Sequence, residues 1–298
     1  MHTESRSETW TVLKILRWTT DFLKNKGVET ARLDAEVLLA DLLGLSRVNL
    51  YLNFDRPLVA DELAGYRERV KRRGAREPVA YIIGRKEFYS LDLKVSRDVL
   101  IPRPETELLV DEALEVVRER FPEGELALAD VGTGSGAIAL ALASELDRAR
   151  IWATDVWGPS LEQARENAER LSTSDRLEFL EGDLAAPLLA LNQRFHLVLA
   201  NLPYVPQAGF ADMASDVRDF EPIRALAGGE DGLDLIRRLV ADAPELLVSG
   251  GALILEIWPD HGKALKELGA SLGFSAVRVR KDLAGRDRVV VMDWATED

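Results

Sequence analysis

Cysteine is absent from the 298 residues, and histidine occurs only three times, at His2, His196 and His261. Without cysteine there are no disulfides, no thiolate nucleophile and few ways to build a zinc site, which suits a cytoplasmic chain. The histidines are too scattered to gather round a metal, and no metal is expected. His196 falls inside an apolar run, where a satisfied or outward-facing imidazole is the expectation, and His261 is read as the start of a surface helix. Long apolar runs are missing too. No stretch of 18 apolar residues and no charged-then-apolar leader occurs, so neither a membrane span nor a signal peptide is expected. Net positive charge is lacking as well, since the chain carries −13 overall. Residues 1–90 hold 16 Lys and Arg against 13 Asp and Glu, whereas residues 91–298 hold 22 against 38. The acidic larger part argues against a duplex-DNA substrate, which asks for a basic surface beside the site.

The same charge split marks a boundary near residue 90, and the length suits one large domain plus a smaller one. The expected organisation is a helical substrate-docking domain over residues 1–85, a hairpin linker over 86–104 and a larger domain over 105–298. Val12, Ile15 and Leu16, then Ala35, Leu38, Leu39, Leu42 and Leu43, recur at helical spacing, with Gly44 as a stop. A third helix is expected from Asp61, as its cap, to Arg73, ended by Gly74. Its last turns carry Arg67, Arg69, Lys71, Arg72 and Arg73, with Arg76 just beyond. These cations read either as a solvated face that suits a helix C-terminus or as a contact surface for an acidic partner or its bound RNA. From Glu87 to Val99 the pattern alternates as a hairpin does, with Phe88, Leu91, Leu93 and Val95 apolar.

From Leu126 onward strands and helices alternate, and two closely spaced strands end the chain, at 276–279 and 288–292. Five or more βα units followed by that pair imply a mainly parallel α/β sheet with an antiparallel hairpin at its end. The first strand runs into Gly132-Thr133-Gly134-Ser135-Gly136 and then a helix, an arrangement that lets a ligand approach the backbone closely. The second strand ends at Asp155, where a carboxylate accepts hydrogen bonds from both hydroxyls of a ribose. Together these residues describe a nucleoside site, although a glycine turn alone does not separate a dinucleotide from S-adenosylmethionine. The separation comes after Phe195-His196-Leu197-Val198-Leu199-Ala200, where Asn201-Leu202-Pro203-Tyr204 follows. A planar nitrogen needs two acceptors for its two N–H groups and a flat face beside it. The Asn201 side-chain oxygen and the Leu202 carbonyl are the acceptors, Pro203 stiffens the turn and Tyr204 supplies the face. The following segment, Val205 to Gly229, is irregular and reads as a loop that covers the substrate.

Strand, Gly-x-Gly-x-Gly, acid after the second strand and Asn-x-Pro-Tyr after the fourth resemble a class I methyltransferase that acts on an amide or exocyclic amino nitrogen. Glu87-Phe88-Tyr89-Ser90-Leu91, Val99 to Glu107, Glu221-Pro222-Ile223-Arg224-Ala225-Leu226, Gly228 to Leu233 and Lys281 to Val289 narrow the likeness. With them, residues from about 30 to 292 resemble the protein-(glutamine-N5) methyltransferases of peptide release factors. The resemblance implies a seven-stranded sheet, S-adenosylmethionine as donor and S-adenosylhomocysteine as product. It also implies class 1 release factors as partners of a monomer, with no sequence-specific nucleic acid and no metal. Gly132, Thr133, Gly134, Ser135, Gly136, Asp155, Asp183, Leu184 and Asn201 are then donor-binding candidates. Asn201, Leu202, Pro203 and Tyr204 are the catalytic candidates, and with Arg103 and Thr106 they form the substrate-binding set. Leu202 stands where the family usually has a second proline, and Leu184 where it often has an aromatic. Three other readings stay open at this point: a ribosomal-protein glutamine methyltransferase, a nucleic-acid amino methyltransferase, and a nucleoside-binding module without turnover.

Overall fold

The computed structural model describes residues 9–294, so His2 lies outside the described residues. They form two compact units, one of residues up to Gly84 together with Ser215–Phe220, the other of Arg85–Ala214 and Glu221 onward.

The smaller unit is helical: α1 Val12–Asn25, α2 Ala31–Leu43, α3 Arg47–Leu52, α4 Ala60–Gly74 and α5 Val79–Ile83. Thr11 caps α1, and Val12, Ile15, Leu16 and Leu23 form its buried stripe, the spacing expected of a helix with one apolar face. Gly44 closes α2 in the left-handed region at φ 64°. The expected cap of α4 is corrected: the helix begins at Ala60, and Glu62 accepts the Val59 N–H from inside the first turn at 3.0 Å. Gly74 is its last residue rather than its stop.

The basic cluster is also corrected, because four of its six members serve the unit internally. Arg69 pairs with Asp41 at 2.5 Å and Arg72 with Glu77 at 2.8 Å. Arg73 is buried, pairs with Asp34 at 2.6 Å and reaches Asp216 at 3.3 Å. Arg76 bonds to Asp216 at 3.2 Å and to the Gly27 carbonyl at 2.6 Å. A solvated face describes only Arg67 and Lys71, both exposed.

The larger unit begins with the hairpin β1 Arg85–Phe88 and β2 Leu91–Lys94. Its turn holds Tyr89 and Ser90 at φ 49° and 62°, the left-handed pair that a two-residue hairpin turn demands. Then come α6 Glu107–Arg120, β3 Leu126–Val131, α7 Ala137–Glu145, β4 Ala149–Asp155, α8 Gly158–Arg170, β5 Leu177–Glu181, α9 Ala186–Leu189 and β6 Phe195–Ala200. The short α10, Ser215–Phe220, is counted with the helical unit. The chain ends with α11 Asp234–Leu246, β7 Leu247–Glu256, α12 Gly262–Ser271, β8 Ala276–Lys281 and β9 Asp287–Asp293.

The seven-stranded sheet has the order β5-β4-β3-β6-β7-β9-β8. The first five of these strands are mutually parallel, and β9 runs antiparallel to both neighbours. Separate apolar clusters hold its two faces. Leu128, Ile151, Leu197 and Ile254 pack on one side, and Val131, Val198, Leu253 and Leu255 on the other. Such double coverage explains why the parallel strands read as continuous apolar runs. Asn167 of α8 binds the hairpin to this body: its Oδ1 accepts the Lys94 N–H at 2.7 Å, and its Nδ2 donates to the Ser135 carbonyl at 2.9 Å.

Candidate active site

The sheet register assembles the site. Val131 lies opposite Thr154 on one side and Ala200 on the other, and Ala200 lies opposite Leu255. Gly132, Asp155, Asn201 and Glu256 therefore leave neighbouring strands at one edge, where parallel α/β sheets bind ligands. An open cleft of about 1040 Å³, its mouth included, lies there.

The glycine turn shapes its first wall. Gly132, Gly134 and Gly136 all have positive φ, and a Cβ on Gly132 would come within 3.0 Å of Leu202 Cδ2. Gly132, Thr133, Gly134 and Ser135 line the cleft, whereas Gly136 turns against Leu140 and Ala164. Asp155 also lines it; its Oδ2 accepts the Gly134 N–H and its Oδ1 the Trp157 N–H, each at 2.9 Å. This carboxylate thus holds the turn in shape while keeping further lone pairs for a ligand. Burial raises its pKa above the ordinary carboxylate value. Asp183 and Leu184 line the cleft too, with Asp183 bonded to Arg238 at 2.6 Å and the Leu184 carbonyl accepting from Thr154 Oγ1 at 3.1 Å.

Asn201, Leu202, Pro203 and Thr106 complete the lining. Behind them sits a carboxylate that sequence reading did not select. Glu256 is buried, and three donors converge on it: Thr106 Oγ1 at 2.6 Å, Asn201 Nδ2 at 2.9 Å and Tyr204 Oη at 2.7 Å. Asn201 Nδ2 also donates to Thr106 Oγ1 at 3.1 Å. Because an ionised carboxylate only accepts, the Asn201 nitrogen must face Glu256, and its oxygen is the atom left for the cleft. The one signal available in the sequence was an acid ending an apolar strand, Ala252-Leu253-Ile254-Leu255-Glu256. Burial raises the Glu256 pKa despite these donors, and the Tyr204 phenol is raised both by its own burial and by Glu256.

Three expectations change. Tyr204 is half-buried, its hydroxyl spent on Glu256 and its ring 6.2 Å from that of Trp258, and it is outside the cleft lining. Arg103 is outside it as well. Its guanidinium is paired with the buried Glu221, which also accepts the Ile101 N–H at 3.3 Å, so it ties residues 101–103 to the segment that follows the turn at residues 201–204. His261 stands at the start of α12, as its N-cap, but is itself buried, and its Nε2 meets the Asp231 carbonyl at 2.9 Å. That contact explains the Gly228-to-Leu233 motif: a Cβ on Gly232 would lie 2.3 Å from the Tyr204 carbonyl and 2.9 Å from His261 Cε1. The motif packs directly on the backbone of the turn at residues 201–204. His196 is satisfied, with Nδ1 3.0 Å from the Ala127 N–H.

Beneath the glycine turn, Asp130 is fully buried. Its Oδ2 accepts from Thr133 Oγ1 at 2.7 Å and Ala139 N at 3.3 Å, and its Oδ1 has no partner among the described residues. Burial pushes its pKa up to about 6. Between its unfolded value near 4 and about 6, the folded protein holds a proton that the unfolded chain has lost. Stability from this group is therefore fully present below about pH 4 and is lost as pH rises through about 6, a difference of about 3 kcal/mol. Asp130→Asn keeps an acceptor for Thr133 and Ala139 without the charge. Urea unfolding at pH 5 and pH 8 should show a smaller loss for the variant than for the wild type, and an unchanged difference would contradict the assignment.

Among the described residues no group of three or more His, Asp or Glu is placed to hold a metal ion, and no helix is long and apolar enough to cross a membrane. Strand order, glycine turn, the acid that ends β4 and the Asn-x-Pro-Tyr turn together define a class I methyltransferase. The comparisons agree: residues 14–84 match the PrmC N-terminal domain and residues 128–220 a methyltransferase domain. The release factor glutamine methyltransferase of Rhodopirellula baltica is 41% identical over 98% of this chain and 99% of its own. That of Geobacter sulfurreducens is 44% identical over 96% and 97%. The chain belongs to the release factor glutamine methyltransferase family. Among solved structures, the catalytic domain of human METTL16 with a MAT2A 3′UTR hairpin shares the fold at a TM-score of 0.56, covering 78% of this chain and 83% of its own at 18% identity.

Proposed function

We propose that this protein methylates the side-chain amide nitrogen of the glutamine in the Gly-Gly-Gln loop of class 1 peptide release factors, with S-adenosylmethionine as donor. The observation that carries the reading is the Glu256–Thr106–Asn201 network, which commits the Asn201 oxygen to the cleft. Near-full-length membership of the family supports the substrate. The cleft suits the donor chemically: Gly132 to Ser135 admit a ligand to the backbone, Asp155 offers acceptors to ribose hydroxyls, and Leu184 gives an apolar wall. S-adenosylmethionine supplies an electrophilic methyl group on a sulfonium.

The chain's own part is orientation. A primary amide nitrogen is a poor nucleophile because its lone pair is delocalised into the carbonyl, so alignment supplies much of the rate. Asn201 Oδ1 and the Leu202 carbonyl accept its two N–H groups and favour the positive charge that grows on nitrogen. Tyr204, fixed through Glu256, stiffens the turn. The nitrogen's proton becomes acidic once the methyl is attached. Leu202 acts through its carbonyl while its side chain packs on Gly132, so Leu202→Pro is compatible with turnover.

Asp155→Ala should weaken donor binding about tenfold to a hundredfold, the effect of losing a charged acceptor. Calorimetry showing unchanged affinity in the folded variant would remove Asp155 from the donor site. The substrate is tested by methyl incorporation from labelled donor into a purified release factor, a ribosomal protein and RNA side by side. Incorporation into the release factor is the expected result, and label in RNA alone would overturn the reading.

A further inference from the structure

The helical unit carries an apolar groove between α1 and α4 that the catalytic residues do not use. Its floor includes the buried Ile15 and Val70. One wall is aromatic: Trp18 and Phe22 stack with centroids 5.3 Å apart and planes 6° apart, and Trp10 meets Trp18 edge-on at 6.5 Å. Gly74 makes the room, since a Cβ there would come within 2.8 Å of Phe22 Cε1. Trp18 nevertheless stays 50% exposed, and an exposed aromatic patch of this kind marks an interaction site.

Charge says what fits. Lys26, Arg67 and Lys71 line the groove, and no Asp or Glu does. Lys26 Nζ lies 5.9 Å from the Phe22 centroid, and Lys71 has only a loose exposed contact, 4.0 Å, with Glu68. A basic mouth is unusual on a chain of net charge −13. Arg67 and Lys71 are what remains of the basic cluster once Arg69, Arg72, Arg73 and Arg76 are spent internally, and Lys26 joins them from the end of α1. The spacing is regular: Trp18 and Phe22 on α1 and Lys26 at its C-cap follow one another at four-residue intervals, as Arg67 and Lys71 do on α4. From Trp18 to Lys26 is about 12 Å along the helix axis, the length of roughly two turns of a partner segment.

We propose that this groove docks a short acidic segment of the protein substrate, with an apolar side chain on Trp18 and Phe22 and carboxylates opposite Lys26, Arg67 and Lys71. The proposal rests on the reading of a release factor as substrate and names a surface that holds it apart from the glutamine. Single-stranded nucleic acid also uses aromatic faces and cations. Here Phe22 already covers one face of the Trp18 indole, and in the floor the buried Tyr66 sits among Ile15, Leu63 and Val70 rather than as an open stacking platform, which favours a protein side chain.

The test uses the full chain with Trp18→Ala and, separately, the double variant Arg67→Glu/Lys71→Glu. All three positions are solvent-exposed, and thermal melts verify folding. Each variant should raise KM for intact release factor on the order of tenfold, with kcat and donor affinity unchanged. The charge variant's defect should shrink at high salt. Calorimetry of release factor binding reads the groove independently of chemistry: a release factor that binds the wild type and not the variants, yet is never methylated, sinks the reaction and keeps the groove. Unchanged KM and unchanged binding overturn the proposal. So does a defect confined to RNA binding, or one seen only as dissociation of a dimer in sedimentation velocity.

Discussion

Asn201→Ala is expected to lower the single-turnover rate of methyl transfer by on the order of a hundredfold or more while leaving donor affinity nearly unchanged. The substitution removes an acceptor whose bond strengthens as charge grows on the substrate nitrogen. It leaves the glycine turn and Asp155, which line the cleft, in place. It also frees Glu256 and Thr106 of one donor, a change a melt will register separately from the rate. Rapid-quench transfer from a preformed enzyme–donor complex separates these effects, and a fully active Asn201→Ala enzyme would remove the amide clamp from the mechanism.

Glu256→Gln is expected to cost a further class of precision without touching substrate. Three donors converge on the Glu256 carboxylate. A glutamine there offers one acceptor oxygen and turns an N–H group against at least one of them. Asn201 then loses the restraint that presents its oxygen to the cleft. Loss of a hydrogen bond to a buried charge, about 1.5–3 kcal/mol, corresponds to a rate about tenfold to a hundredfold lower. The variant should still fold, because it also removes a buried charge. The pH profile gives a signature that a merely structural role would lack. Burial raises the Glu256 pKa, so the wild-type rate should fall on acidification as this carboxylate takes a proton, and Glu256→Gln should lack that limb. For stability the sign is opposite: with the folded value raised, the group's contribution is present below its unfolded pKa and lost as pH rises through the folded one. An unchanged rate together with an unchanged acid limb would release Glu256 from its positioning role.

The two substitutions also mark how far the sequence was legible. The Asn201 turn and the glycine turn are local objects: each follows an apolar strand directly, and the alternation of strands and helices already implied that parallel neighbours would bring their ends together. Glu256 and Thr106 are not local. They are 150 residues apart in the chain, and only the register of β6 on β7 places the end of one strand beside Asn201. Long-range pairing misled the reading of the basic cluster in the same way. Asp34, Asp41 and Asp216 neutralise Arg73, Arg69 and Arg76 from distant positions, and helical periodicity alone cannot show an arginine turning inward. The α4 cap was missed because Glu62 reaches back to the Val59 N–H, a contact made by the third residue of the helix rather than by a polar residue at its start. The helix start at His261 was legible, but not its burial, which depends on the Gly228-to-Leu233 segment folding over it.

The central claim is that one glutamine side-chain nitrogen receives the methyl in this cleft. Fragmentation mass spectrometry of a release factor incubated with the wild-type enzyme and S-adenosylmethionine tests it most directly. The account predicts a single added methyl on the side-chain nitrogen of the glutamine in the Gly-Gly-Gln loop, absent when the enzyme carries Asn201→Ala. A methyl on any other residue, or the same modification at an undiminished rate with Asn201→Ala, would contradict it.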